Sequence, residues 1–357
     1  MGLSASILLL ALVANGPETP PEALTAWGLA GPPALWCNQP IYRGATDVIC
    51  TLDAAPTPEL IAQLAALPRA TSLTLDVGRD PTSPVAPMDL RPLASLAELR
   101  SLAIRSQGSA RSVVQLPPLG ALSLLSLDTV AVSGLAKTTD ALTALTLIDT
   151  SGFPTLTALA TATALESLTL VHFQGMDAEQ LSAILAAANP GLTALTVNGP
   201  GLPSLAPIGR FRGLRSLHVS SIDLEPGADF RALDGLKLTD LDLSMTPFKD
   251  LGLLSSSKDT LETLELASTA LRSLAPLARF TRLRDLDLQN SPADYGRVPL
   301  SPLRRVTSLK KLSFTVDHWS RCRATPEEDL DGVRPADCDT LRELEKRGVT
   351  IEYFGGC

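Results

Sequence analysis

Leucine recurs along this chain with a beat that fits neither a plain strand nor a plain helix. The stretch 266 to 288, LASTALRSLAPLARFTRLRDLDL, places leucine at 266, 271, 274, 277, 283, 286 and 288, with Asp285 and Asp287 between the last of them. Its closing unit, L-x-x-L-x-L, returns as LRSLAI (99 to 104), LSLLSL (122 to 127), LTALTL (142 to 147), LESLTL (165 to 170) and LTALTV (192 to 197). It continues as LRSLHV (214 to 219), LTDLDL (238 to 243), LETLEL (261 to 266), LRDLDL (283 to 288) and LKKLSF (309 to 314), with ATSLTL (70 to 75) as a variant first copy. From Leu73 to Leu312 the fourth position of the unit advances in ten steps of 20 to 29 residues. In an extended backbone successive side chains point to opposite sides, so the leucines of x-L-x-L enter a core while their neighbours face out. One unit cannot bury its own leucines. Stacked units can, each buried leucine contributing roughly 1.5 to 3 kcal/mol, and one strand per coil then requires the strands to run parallel.

Longer steps carry helical patterns. TPELIAQLAALP offers Thr57 as N-cap and Pro58 at the first helical position, where its missing N–H costs nothing, and this segment begins the array. MDAEQLSAILAAANPG offers Asp177 as N-cap with Gln180 three residues on, an apolar face at Leu181, Ile184, Leu185 and Ala188, and an Asn-Pro-Gly stop. Other coils, such as SGFPTLTALATATAL, have room only for a short helical turn or extended backbone. The ends differ from the middle, because an end coil exposes its core to water unless it is capped. Residues 17–55, with Trp27 and Trp36, are expected to form an N-terminal cap, 56–316 the repeats, and 317–357, with Trp319, a C-terminal cap. In TLRELEKRGVTIEYF, Thr340 and Glu343 have the spacing of a capping box, Gly348 of a helix stop, and 349 to 354 of a final strand.

These copies resemble the leucine-rich-repeat family, whose period is 20 to 29 residues. The TALRSLAPLARFTRLRDLDL version is similar to the short repeats of bacterial internalin-like proteins. The resemblance covers about residues 60 to 316. It implies an α/β solenoid, a horseshoe with a parallel β-sheet on its concave side and about 11 repeats between two caps. It further implies a non-enzymatic protein-binding scaffold whose specificity rests on variable surface positions. The family's asparagine after the strand is replaced here by Thr150, Thr246, Thr269 and Ser291, and at Val130, Phe173 and Ile222 no hydroxyl takes its place, so those coils are expected to be less regular.

With that frame the inner surface can be read off position by position. It is bland in the middle copies (Ala144, Thr146, Ser167, Thr169, Ala194, Thr196) and acidic later. Parallel strands lie about 4.8 Å apart, so His218, Asp242, Glu265 and Asp287 should form one column, flanked by Asp240 and Asp285. Like charges that close repel, a mild cost that a cationic partner relieves. The column reads either as a docking face for a basic protein or peptide segment or as a solvated surface of no particular role. A metal cage is disfavoured, because carboxylates on successive rigid strands are poorly placed to wrap an ion with six to eight oxygens. No cofactor is expected.

Composition narrows the partner. A hydrophobic share of 45% excludes a disordered chain, and a net charge of -8 with only 4% aromatics argues against nucleic acid, which needs basic surface and stacking platforms. The three histidines, His172, His218 and His318, have no G-x-S-x-G, H-E-x-x-H or phosphate loop near them, so catalysis is not expected. The five cysteines avoid the repeats: Cys37 and Cys50, Cys322 and Cys338, then Cys357. Two bridges, Cys37 with Cys50 and Cys322 with Cys338, would close the two ends and fit an oxidising compartment; four reduced buried thiols are the alternative. Residues 3 to 14, LSASILLLALVA, suit a secretory h-region or a buried capping segment and are too short to span a bilayer, so no stable membrane insertion of the mature chain is expected. The opening MGLSAS also fits the loose myristoylation pattern. The resulting expectation is a monomer that is secreted, periplasmic or at the cell surface, with a cytoplasmic adaptor bearing reduced cysteines as the alternative.

Overall fold

The computed structural model describes residues 35–37, 40–42, 44–52, 56–77, 87–106, 112–133, 140–150, 156–171, 178–198, 204–220, 229–315, 322 and 335–354. The leader 1–16, Trp27, His172, Phe173, Asp177, Ile222, His318, Trp319 and Cys357 fall outside these residues, as do the side chains of Trp36 and Gln180. The chain divides into two compact units, 1–161 and 162–357.

In the first unit a short antiparallel pair, β1 (Leu35–Trp36) and β2 (Pro40–Ile41), precedes β3 (Asp47–Thr51) and β4 (Ser72–Val77). Then come β5 (Met88–Asp89), β6 (Ser101–Ser106), β7 (Ser112–Gln115), β8 (Leu124–Asp128), β9 (Val130–Ser133) and β10 (Ala144–Ile148). Strands β3, β4, β6, β8 and β10 pair parallel in that order. The leucines align across them: Leu73, Leu102, Leu125 and Leu145 share one register position and are all at most 2% exposed.

Two features of this unit depart from the sequence expectation. Strand β3 lies in the segment assigned to the N-terminal cap, yet it belongs to the repeat sheet: Val48 and Cys50 stand beside Leu73 and Leu75, filling the two leucine positions without leucine. Val130, expected to loosen its coil for want of a hydroxyl, instead begins β9, which joins β5 and β7 in a second parallel sheet. Met88, Val114 and Val130 bury their side chains there, so apolar packing replaces the missing hydrogen bond. Helix α1 (Pro58–Ala65) starts as its sequence dictates. Thr57 Oγ1 accepts the Leu60 N–H at 3.2 Å, Pro58 sits in the first turn, and Ile61 and Leu64 are buried. The crowded segment before position 162 has room only for the short α2 (Leu156–Thr161).

The second unit runs β11 (Ser167–Val171), helix α3 (Ala178–Ala187), β12 (Ala194–Asn198), β13 (Ser216–Ser220), β14 (Asp240–Asp242), β15 (Thr263–Glu265), β16 (Asp285–Asp287) and β17 (Lys311–Thr315). Helix α4 (Pro335–Lys346) and β18 (Thr350–Phe354) close it. All eight strands pair parallel in chain order. Helix α3 buries Leu181, Ile184 and Leu185, the face its spacing marks. The Pro-Leu and Pro-Ile segments become single 3-10 turns at Ala206–Arg210, Ala275–Arg279 and Ser301–Arg305. Proline pre-sets φ for the first turn and removes an N–H that the turn would leave unpaired.

Hydroxyls bind coil to coil. Thr193 and Thr239 donate from just before their strands to the carbonyls of Glu166 and Arg215 in the preceding coil. After the strands, Thr246 Oγ1 donates to Leu243 O at 2.6 Å and Thr269 Oγ1 to Leu266 O at 2.7 Å, so these hydroxyls take over turn carbonyls. In the first unit Thr150 is equally buried, but its Oγ1 has no partner among the described residues.

The C-terminal helix corrects the expected capping box. Helix α4 begins at Pro335, so Thr340 lies in its interior, where Oγ1 donates to Ala336 O and accepts from Arg304 Nε. Glu343 pairs with the same arginine at 3.2 Å. The T-x-x-E spacing thus serves docking of the helix on the last coil, because Pro335 is itself a helix-start signal five residues earlier. The stop is as expected: Gly348 has φ +83°, its N–H meets Glu345 O, and the Val349 N–H meets Leu344 O, the paired bonds of a glycine-terminated helix. Cys37 is joined to Cys50 and Cys322 to Cys338, with Cα separations of 4.8 and 5.4 Å.

Ser257 is fully buried; its Oγ donates to Leu236 O at 2.9 Å and accepts the Leu238 N–H at 3.0 Å. Ser257→Ala strands a buried donor and a buried acceptor, and chemical denaturation is expected to show a loss of about 2 to 3 kcal/mol. Exposed Ser255→Ala, two positions away, should stay within about 0.5 kcal/mol of the parent.

Candidate functional site

The register of the second unit builds the site directly. Thr196, His218, Asp242, Glu265, Asp287, Ser313 and Glu352 occupy one row across β12 to β18. A second row holds Ser216, Asp240, Thr263, Asp285, Lys311 and Thr350. His218, Asp242, Glu265 and Asp287 therefore stand side by side as the spacing predicts. Asp240 and Asp285 do not touch each other: Thr263 separates them, at two strand spacings or about 10 Å.

Hydrogen bonding divides these carboxylates into two kinds. Asp242 Oδ1 accepts the Ser244 N–H at 2.8 Å, and Asp287 Oδ1 accepts the Gln289 N–H at 2.9 Å while its Oδ2 accepts Gln289 Nε2. Each shapes the turn that leaves its strand, in the manner of aspartates that bond their own backbone two residues on. Asp240 Oδ2, at 2.7 Å, shares the single Thr239 hydroxyl proton with the Arg215 carbonyl at 3.1 Å. Glu265 and Asp285 accept no hydrogen bond from any described residue, and so are committed to no turn or ladder.

Burial within the sheet face pushes the Glu265 carboxyl above its ordinary value, and the neighbouring Asp242 and Asp287 push the same way, partly offset by His218 and Lys311. Burial likewise raises Asp287, against the lowering effect of the Gln289 hydrogen bonds. Lys311 Nζ lies 2.8 Å from Glu352, and that contact raises the lysine further. His218 Nδ1 is 4.0 Å from Asp242 Oδ2, too long for the hydrogen bond that would orient a catalytic imidazole.

Strands β15 to β18 carry an open pocket of about 300 Å³ whose lining includes Glu265, Asp285, Asp287, Gln289, Lys311, Ser313 and Phe354. Ser313, Glu352 and Phe354 join the site without being marked by the acidic spacing. The alternation along the final strand is the signal that places Glu352 in the acidic row, beside Ser313. Among the described residues, no set of three or more His, Cys, Asp and Glu converges as metal ligands do, and no helix is long and apolar enough to cross a membrane.

No protein-family profile matches the chain, and no curated protein sequence does. Solved structures do. TLR13, in its complex with ssRNA13, matches with a TM-score of 0.52 at 15% identity, over 87% of this chain and 50% of that one. An internalin, InlF, from Listeria monocytogenes matches with a TM-score of 0.49 at 17% identity, over 72% of this chain and 77% of that one. A leucine-rich-repeat protein of Leptospira interrogans matches with a TM-score of 0.37 at 15% identity, over 84% and 93%. The chain spans half the length of TLR13. At these identities the likeness concerns fold alone, and the fold is the leucine-rich-repeat class of α/β solenoid.

Because folding raises the Glu265 carboxyl above its unfolded value, the folded state holds that proton more tightly. Stability from this group is therefore full below the unfolded value and is lost as pH rises through the folded one. Thermal unfolding should find Glu265→Gln more stable than the parent at neutral pH, with the difference vanishing in acid below the ordinary carboxylate range.

Proposed function

We propose that this chain is a non-enzymatic binding scaffold that holds a basic protein or peptide segment against the acidic part of its sheet face, outside the cytoplasm. The observation that carries the reading is the in-register row of Asp242, Glu265 and Asp287, beside Asp285, on the side of the sheet opposite the leucine core. Folding stacks these charges even though their mutual repulsion and desolvation oppose it. A cationic partner relieves both costs when it binds. Glu265 and Asp285, which have no hydrogen-bond role within the described residues, are the two carboxylates best able to serve a ligand. A rigid sheet face presents such groups without ordering entropy at the moment of binding. The two disulfides support an oxidising compartment.

Probing an array of short peptides of mixed charge should show capture biased to Lys- and Arg-rich members, weakening as salt rises because exposed charge pairs are screened. Glu265→Lys with Asp285→Lys should abolish the bias and leave the melting transition cooperative; capture without any charge preference would sink the proposal. The compartment is tested by alkylation: denatured protein that has not met reductant should expose one reactive thiol, Cys357, of its five cysteines. Five labelled thiols would instead point to a reducing compartment.

A further inference from the structure

Ser313 faces the same side of the sheet as Asp287 and Glu352, yet it is only 5% exposed. It lines the 300 Å³ pocket of β15 to β18, and its hydroxyl has no hydrogen-bond partner among the described residues. That hydroxyl is not sealed off from the pocket and can meet a donor or acceptor that enters it. Around it the pocket combines two unlike chemistries. Glu265, Asp285 and Asp287 supply carboxylate oxygens, while Phe354, 51% exposed, supplies an aromatic ring at the end of β18. The resident cation, Lys311, is drawn aside to Glu352 at 2.8 Å and leaves those three carboxylates in excess.

We propose that this pocket is an anchor subsite for a single arginine side chain of the ligand, an inference that rests on the reading of the face as a docking surface for a basic segment. The volume lies at the small end of ligand pockets, enough for one long side chain and too little for a folded element. The acceptors are spread over three strands: Glu265 on β15, Asp285 and Asp287 on β16, Ser313 on β17. A planar guanidinium has five N–H donors pointing outward in a fixed fork and reaches such separated acceptors, while its face stacks on an aromatic ring. A lysine ammonium is a compact, strongly hydrated point charge with three donors, and would leave either Ser313 or one carboxylate unserved. The subsite thus turns a general preference for positive charge into a choice between the two basic side chains.

The test is a fluorescence anisotropy titration of the full chain with two labelled short peptides of equal charge, rich in lysine, that differ in one central residue, arginine or lysine. The arginine peptide is expected to bind about five- to tenfold more tightly. That preference should fall to about onefold in Phe354→Leu and shrink in Ser313→Ala. Equal affinity of the parent for the two peptides overturns the arginine subsite and leaves the acidic docking face standing. A preference that survives Phe354→Leu overturns it too, and no binding of either peptide removes both readings. The comparison on the parent protein needs no variant, so it decides the matter even where a substitution fails to fold.

Discussion

Everything in this molecule depends on the leucines of neighbouring coils stacking in one register. Each coil buries its leucines only against the coils beside it, so Leu217, Leu241, Leu264, Leu286 and Leu312 must stand in line for any of them to leave water. A slip of one residue would turn a whole strand's leucines to solvent and its aspartates into the core, which makes the register the most strongly specified feature of the sheet. The outward side chains have no say in their neighbours. Whatever residue type the sequence places at that position accumulates into a row, and from β14 to β16 that type is acidic.

The same constraint shapes the turns. Where a strand ends the chain must bend at once to begin the next coil, and it does so through a left-handed residue: Met245, Ser268 and Asn290 in the second unit, Thr129 and Asp149 in the first. None is glycine, although a side chain in that conformation costs roughly 1 to 2 kcal/mol. Each directly precedes a buried position, among them Thr246 and Thr269, whose hydroxyls recover a carbonyl that the bend would leave unpaired. Asp242 and Asp287 belong to this machinery as well, since each holds a backbone N–H two residues on. An aspartate in this row can therefore be retained for its turn, and the charge comes with it. Glu265 and Asp285 have no such duty, which separates a surface shaped by folding from one available to a partner.

Much of the architecture was legible because it is written in local spacing. The x-L-x-L alternation marks the faces, the even steps mark the stacking, and Thr57 with Pro58 marks a helix start, all without knowledge of distant residues. Spacing is ambiguous where one local signal has two uses. T-x-x-E at Thr340 and Glu343 is a capping box at a helix start but a docking pair for Arg304 in a helix interior, and only the position of Pro335 tells them apart. Strand β3 carries no leucine mark, because Val48 and Cys50 fill its leucine positions, and burial does not require leucine. The second sheet of β5, β7 and β9 has no fixed period at all.

By itself the sequence determined the repeat, the parallel strands, the two faces of each strand and the residues that share a row, because all of these follow from periodicity along one chain. Only the tertiary structure decided which acidic oxygens are already engaged, that Lys311 turns to Glu352, and that Ser313 and Phe354 line one pocket. Those outcomes depend on distances between side chains of different coils and on how deeply each is covered, quantities that a spacing rule does not contain.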